Sequence, residues 1–320
     1  MTDYTIFYKD YFNNTADVSK LGPWDIFVST YSLDERIVKV FDAISANEKY
    51  WLIHKEYNFA SGEVPSASGF IKVYDPTQRE DEADFISNFF GSLRITDKTK
   101  LCIDITAFTR PTLIFLMYFL KNSLKLRKFE LLYSEPNYYS AQEKTVFAED
   151  VTKVSQIAGY EGKHVPDNLK DVLIIGTGYD HSLITHVAED KEYAQKIKIF
   201  GFPSLKADMY QENILQVQKA VEAIGTHIAP PFAYYAPAYD PFVTASILNE
   251  ILENLKEEGN YTNIYLCPLG TKAHVLGFAL FYLNQCFDAP ISIIYPHCSY
   301  KNKKDSVGLS GVWKYVIEFN

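Results

Sequence analysis

Short apolar runs, each followed by a polar turn and then by an amphipathic stretch, occur in both halves of the chain. Residues 24–28 are mostly apolar, residues 29–36 are mostly polar, and apolar positions recur at helical spacing from Ile37 onward. Residues 171–175 are followed in the same way by a polar turn that ends near Leu183. Each pattern predicts a strand, a polar loop and a helix, in that order.

A longer segment repeats without a gap. Residues 101–139 align with residues 263–301, and each copy has the pattern strand, polar turn, apolar helix, strand. The alignment pairs a threonine and a cation in one copy with the same pair in the other: Thr109-Arg110 with Thr271-Lys272. Identity is low, so chance similarity of two βαβ units is the alternative. The shared hydroxyl and cation favour an internal duplication.

Further strand-like runs at residues 50–54 and 197–200 extend the alternation of strands and helices. Such alternation predicts an α/β fold with a mainly parallel sheet. Two glycines and a proline mark residues 159–170 as a linker. We therefore expect two tandem Rossmann-like halves related by duplication, an N-terminal half at residues 1–160 and a C-terminal half at residues 161–320.

Composition and charge narrow the class of protein. The chain of 320 residues is 47% apolar and carries a formal net charge of −9, which indicates a globular protein and disfavours binding to long nucleic acid. Residues 1–10 lack the pattern of a secretory signal, and the longest apolar run, residues 113–120, is too short to cross a bilayer. We expect a cytoplasmic protein that contacts no membrane.

Signatures of common catalytic and cofactor sites are missing. The sequence has no G-x-S-x-G, G-x-x-x-x-G-K-[ST] or H-E-x-x-H motif. Its four cysteines form no C-x-x-C pair and its seven histidines are scattered, so we expect neither disulfide nor metal. Gly176-Thr177-Gly178 follows a strand, but His181 replaces the third glycine of the nicotinamide fingerprint and no acidic residue ends the second strand. We expect no cofactor.

In doubly wound sheets, ligands bind beyond the carboxyl ends of the strands, beside helix N-termini that favour anions. The loop at residues 104–110 places hydroxyls and a guanidinium at such a position, and the loop at residues 268–274 adds an imidazole to the same pair. Both loops suit a phosphate or a carboxylate. The alternative is plain helix capping by the threonines beside a solvated cation.

Three other features have both a functional and a structural interpretation. Gly176 and Gly178 permit close approach of a ligand to the backbone, or simply a tight turn. The acidic and basic residues 34–36 are typical of a charge cluster at a helix start. The proline- and tyrosine-rich residues 230–242 predict an extended loop, which is either a lid or partner surface, or a cover over buried phenylalanines.

The candidate residues fall into two sets. Candidate ligand-binding residues are those suited to bind phosphate, to donate a hydrogen bond or to stack on a base: Thr109, Arg110, Gly176, Thr177, Gly178, Tyr179, Thr271, Lys272, Tyr133, Tyr138, Tyr295 and Tyr300. Candidate acids or bases, should there be catalysis, are Asp104, Asp180, Asp240 and His274.

The paired halves and the polar turns at residues 104–110 and 268–274 resemble the CRISPR-associated Rossmann fold (CARF) proteins, the nucleotide sensors of bacterial antiviral defence. The resemblance is architectural, since no long motif matches and the fused nuclease domain usual in that family is absent. It implies that the two turns hold the phosphates of a cyclic oligoadenylate. The missing nuclease domain puts a direct effector role in doubt.

Three functions remain open. The first is a binding module in which a crevice between the two halves senses a nucleotide-like anion, with a protein partner or a second copy receiving the signal. In that module we expect Arg110 and Lys272 to be exposed cations that bind phosphate. The second is an enzyme that cleaves a nucleotide or nucleoside, and turnover distinguishes it. The third is a structural subunit of a larger assembly, which partners purified without nucleotide would indicate.

Overall fold

The computed structural model describes residues 2–60, 62–76, 80–139, 148–227, 229–257, 259, 261–304 and 306–319, without the side chains of residues 148–150 and 299–301. The first part of the chain forms β1 (Lys9–Phe12), α1 (Thr15–Val18), β2 (Trp24–Thr30), α2 (Glu35–Ala43), β3 (Ala46–Leu52), β4 (Ile71–Tyr74), α3 (Glu82–Ser92), β5 (Leu101–Asp104), α4 (Arg110–Tyr118), β6 (Lys128–Glu135) and β7 (Tyr138–Tyr139).

The remaining elements follow in the same alternation. They are β8 (Ala148–Gln156), β9 (Val172–Gly176), α5 (His181–Asp190), β10 (Gln195–Gly201), α6 (Met209–Lys219), α7 (Val221–Ile224), β11 (Ala233–Ala236), α8 (Pro241–Glu257), β12 (Ile264–Pro268), α9 (Lys272–Gln285), β13 (Ile291–Lys301), β14 (Ser306–Val307) and β15 (Gly311–Glu318). None of the described helices is long and apolar enough to span a membrane.

Two compact units divide the chain, and each draws on two separate segments. The first unit comprises Phe7–Gln142 and Tyr300–Asn320, and the second comprises Met1–Ile6 and Glu143–Ser299. The predicted α/β class with mainly parallel sheets is confirmed in both units.

The first unit is built on a seven-stranded sheet with the order β1-β15-β6-β5-β2-β3-β4. Strands β2 to β6 run parallel, whereas β15 is antiparallel to both β6 and β1. Helix α2 places Ile37, Val40 and Phe41 against the sheet, where the Phe41 ring stacks on Trp51 at 3.6 Å between centroids. The apolar positions at helical spacing therefore form the core of this unit.

The second unit has a six-stranded sheet with the order β11-β10-β9-β12-β13-β8. Strands β9 to β13 run parallel. Helix α9 connects β12 to β13 and is buried from Lys272 to Leu283, which explains why its sequence is apolar on every side. In both sheets the strand order reverses at one point, between β2 and β5 and between β9 and β12. Ligands of doubly wound proteins bind at such switch points.

Strand β15 joins the first unit from the end of the chain, whereas β8 belongs to the same continuous segment as the other strands of the second unit. Strand β8 follows β6 and β7 in sequence but lies beside β13 in the second unit, and β15 follows β13 and β14 but pairs with β6 in the first unit. The N-terminal Met1–Ile6 also belongs to the second unit, whereas the strand β1 that follows it belongs to the first.

Candidate functional site

Both predicted threonine turns lie between a strand and a helix. Thr109 is the N-cap of α4 and its Oγ1 accepts from the backbone N–H of Thr112 at 3.3 Å. Thr271 is the N-cap of α9 and accepts from the N–H of His274 at 3.2 Å. The prediction that both threonines occupy strand-to-helix turns is confirmed. The helix capping that was the structural alternative to ligand binding is also observed at both threonines.

The two cations are the first helical residues after these caps. Arg110 begins α4 and is partly exposed, and Lys272 begins α9 with only 9% of its surface exposed. The expectation of two exposed cations is therefore wrong for Lys272, because its stem is enclosed where α9 enters the core. A cation at this place lies beside first-turn amide groups that have no partner within the helix. Charge and amides together favour an anion.

In the second unit, the glycine turn and the Thr271 turn come together at the switch point. The N–H of Leu269 donates to the carbonyl of Gly176 at 2.8 Å. A Cβ on Gly178 would lie 2.2 Å from the carbonyl oxygen of Leu269, so only glycine fits there without displacing backbone. The structure thus places five of the predicted residues at two adjoining strand-to-helix turns, including the last residue of β9 and the first of α9: Gly176, Thr177, Gly178, Thr271 and Lys272.

The threonine hydroxyls of this site are engaged within the protein. Oγ1 of Thr177 lies 3.1 Å from the carbonyl oxygen of Ile199 and 2.9 Å from Oδ1 of Asn213, whose amide group donates to Gly178. Oγ1 of Thr271 donates to the carbonyl of Ala238. Neither hydroxyl proton is directed to a ligand in this arrangement.

His274 is fully buried in the first turn of α9. Its Nε2 lies 3.2 Å from the carbonyl oxygen of Ala236 and 3.1 Å from that of Pro237, so Nε2 carries the proton. Burial lowers the pKa of His274 to about 4, and its Nδ1 has no hydrogen-bond partner among the described residues. The imidazole is therefore neutral at pH 7 and joins α9 to the loop after β11.

The first unit has a buried polar cluster at its own switch point. Oδ2 of Asp104 accepts from the hydroxyl of Ser29 at 3.1 Å, and Oδ1 accepts from the N–H and the hydroxyl of Thr106 at 3.0 and 2.5 Å. Burial raises the pKa of Asp104, although these hydrogen bonds and Arg36 act in the opposite direction. Asp104 joins the ends of β2 and β5. It has no exposed surface from which to act on a solvent-accessible substrate.

Arg36 is a residue of this cluster that the sequence analysis did not single out as a binding residue. Its guanidinium is buried, donates through Nη1 to the carbonyl of Ser134 at 2.7 Å and lies 3.5 Å from a carboxylate oxygen of Asp34. The ring of Tyr139 lies 5.7 Å away, and Nε has no partner among the described residues. The only sequence signal was an arginine at a helix start, which is usually solvated.

The other acid candidates cap helices. Asp180 accepts from the N–H of Ser182 at 3.0 Å, and its second oxygen is buried with no partner among the described residues. Asp240 accepts from the N–H groups of Phe242 and Val243 at 3.0 and 3.1 Å. Both contacts are those of residues at helix starts.

The tyrosine candidates differ in accessibility. Tyr133 and Tyr295 are 4% and 6% exposed, and burial raises the pKa of Tyr133 well above its usual value. Tyr138 is 54% exposed and Tyr179 is half-buried. The side chain of Tyr300 lies outside the described residues. Of the four whose side chains the structure describes, Tyr138 and Tyr179 have a ring surface that a base can reach.

No protein-family model matches the chain, and no curated protein or solved structure is significantly similar to it. Within the described parts of the chain, no group of three or more His, Cys, Asp and Glu side chains is placed to hold a metal ion. The site is therefore interpreted from its geometry alone.

Proposed function

We propose that this protein is a binding module for nucleotide-like anions, each held at the carboxyl edge of one of its two mainly parallel sheets. The observation that carries the proposal is the repeated turn: in each unit, the strand beside the switch point ends in a loop whose threonine caps the next helix and whose next residue is a cation. Capping alone requires the threonine. It does not require a cation at the first position of both helices.

Within each unit a phosphate would be bound by the cation of that unit's own turn, Arg110 in the first unit and Lys272 in the second, together with amide groups of the helix N-terminus. A cation that contacts phosphate donates a charge-assisted hydrogen bond, and partial burial strengthens it because solvent screening is reduced. The resemblance to CARF proteins agrees with this assignment. On that basis the module is a cytoplasmic sensor in a bacterial defence or signalling system that reports to a protein partner or a second copy.

The repeated turn also supports descent from one duplicated unit. Both sheets contain the same order of five parallel strands, β4-β3-β2-β5-β6 and β11-β10-β9-β12-β13. In a duplicated chain β8 would be the sixth strand of the first repeat and β15 that of the second, yet β8 lies in the second unit and β15 in the first. A reciprocal exchange is what fusion of two identical strand-swapped subunits would leave.

Calorimetric titration tests the binding function. Mass spectrometry of small molecules released from the purified protein identifies a probe, and ATP serves if none is found. We expect Arg110→Met and Lys272→Met to weaken binding about tenfold or more, because a charge-assisted contact contributes about 1.5–3 kcal/mol. Methionine keeps most of the enclosed stem of Lys272, and Lys196→Met in the same unit is the matched control. Unchanged affinity in both variants would reject the assignment.

A further inference from the structure

Three aromatic side chains form a half-exposed group at the carboxyl edge of the sheet in the second unit. Phe202 directly follows β10, Tyr235 is the third residue of β11 and Tyr210 is in the first turn of α6. The N–H of Phe202 donates to the carbonyl of Ala236 at 2.8 Å, which fixes the backbone between the two strand ends. Since β9 to β12 are parallel, this edge also carries the Lys272 turn.

We propose that Phe202, Tyr210 and Tyr235 form a platform on which a nucleobase stacks. The inference rests on the proposed function, because it names the second part of the ligand whose phosphate the Lys272 turn binds.

The rings are fixed against one another and against the core. The Phe202 centroid lies 4.8 Å from that of Tyr210 and 6.5 Å from that of Tyr235, with interplanar angles of 57° and 81°. Tyr235 stacks on the buried Phe200 at 5.5 Å and 23°. Such rings offer contact area at a low cost in side-chain entropy. Phe202 nevertheless remains 49% exposed, so much of its surface is available to a planar ligand.

The platform has polar groups suited to a base rather than to a purely apolar ligand. Burial raises the pKa of Tyr235, and the interaction with Tyr210 raises it further. A phenolic hydroxyl can donate and accept, so this pair is able to contact the edge of a heterocycle while the rings contact its face.

The platform is continuous with the phosphate turn. Gly201 precedes Phe202, and a Cβ built on Gly201 would lie 3.6 Å from Cε1 of His274, in the same helical turn as Lys272. Helix α6, which carries Tyr210, is joined to the glycine turn by the hydrogen bond from Asn213 to the carbonyl of Gly178 at 2.5 Å. A base on the platform would therefore adjoin an anion at Lys272.

The test uses calorimetric titration of the full chain with ATP, adenosine and inorganic tripolyphosphate. Phe202→Leu keeps an apolar side chain and removes the aromatic face, and Tyr193→Leu changes a tyrosine of the same unit that is 87% exposed and outside the cluster. We expect Phe202→Leu to bind ATP and adenosine about tenfold more weakly and tripolyphosphate unchanged, since stacking on an aromatic ring contributes about that much. Tyr193→Leu is expected to match the native protein.

Each result has a separate meaning. Equal ATP affinity in Phe202→Leu and the native protein overturns the platform while leaving the phosphate site intact. Adenosine binding that depends on Phe202, without tripolyphosphate binding, supports the platform and rejects the phosphate site. Failure of all three probes to bind the native protein overturns the platform as a nucleobase site. Sedimentation velocity tests whether the rings instead contact a second copy of the chain. A dimer of the native protein that is lost in Phe202→Leu would show such contact and would also overturn the proposal.

Discussion

Replacing Gly178 by alanine tests whether the glycine turn serves packing or ligand approach. The new Cβ would lie 2.2 Å from the carbonyl oxygen of Leu269 and 2.9 Å from its carbonyl carbon. Carbon and oxygen atoms normally approach to about 3.3 Å, so the two loops must separate by roughly 1 Å. Their hydrogen bond from Leu269 to Gly176, 2.8 Å long, would be stretched. Overpacking and the weakened bond together cost about 2–4 kcal/mol.

Urea unfolding followed by far-ultraviolet circular dichroism measures this cost. The control is Gly91→Ala in α3, where an added Cβ meets nothing within 4 Å and alanine favours the helix by up to about 1 kcal/mol. We expect Gly178→Ala to be destabilised and Gly91→Ala to be neutral or stabilised. A Gly178→Ala protein with native stability but impaired binding would refute the packing argument and restore close approach to a ligand as the reason for this glycine.

Three further predictions concern His274, Asp104 and strand β15. Burial lowers the pKa of His274 from 6.5 to about 4, so the unfolded chain takes up a proton at a higher pH than the folded chain does. The stability of the native protein is therefore fully present above about pH 6.5 and falls as the pH approaches 4. Relative to His274→Gln, we expect a loss of about 3 kcal/mol, measured by urea titration at each pH. Asp104→Asn is expected to change stability by less than about 1 kcal/mol, since the amide keeps an acceptor for Thr106 and removes a buried charge. Asp104→Ala leaves the N–H and the hydroxyl of Thr106 without that acceptor and is expected to cost about 2–4 kcal/mol in the same assay. Truncation after Ser310 removes β15 from between β1 and β6, and limited proteolysis is expected to cut the first unit before the second; equal resistance to the native chain would contradict the pairing.

Local sequence patterns predicted the elements that depend on neighbouring residues. The apolar run at residues 24–28 lies in β2, and the apolar positions at helical spacing from Ile37 onward lie in α2. Thr109, followed by Arg110 and Pro111, caps α4 as its position before an apolar run indicated. Capping and amphipathic spacing are local properties, so the sequence carries them directly.

Features that depend on distant pairing were not predictable in this way. The sheet that β8 or β15 joins cannot be read from local sequence, because a strand has the same alternation whichever sheet receives it. Arg36 resembled a solvated residue at a helix start, yet its partner Ser134 lies 98 residues away in sequence. Phe202 was not a candidate from the sequence, because its grouping with aromatic residues of α6 and β11 is formed only in the folded protein.

Hydrogen–deuterium exchange of the full chain with and without saturating ATP tests whether an anion binds at the two helix starts, because it reports where the ligand binds. We expect slower exchange in peptides covering the first turns of α4 and α9, at residues 110–115 and 272–277, and unchanged exchange in α3. Binding of ATP with no protection at either helix start, or with protection confined to other parts of the chain, would contradict this expectation.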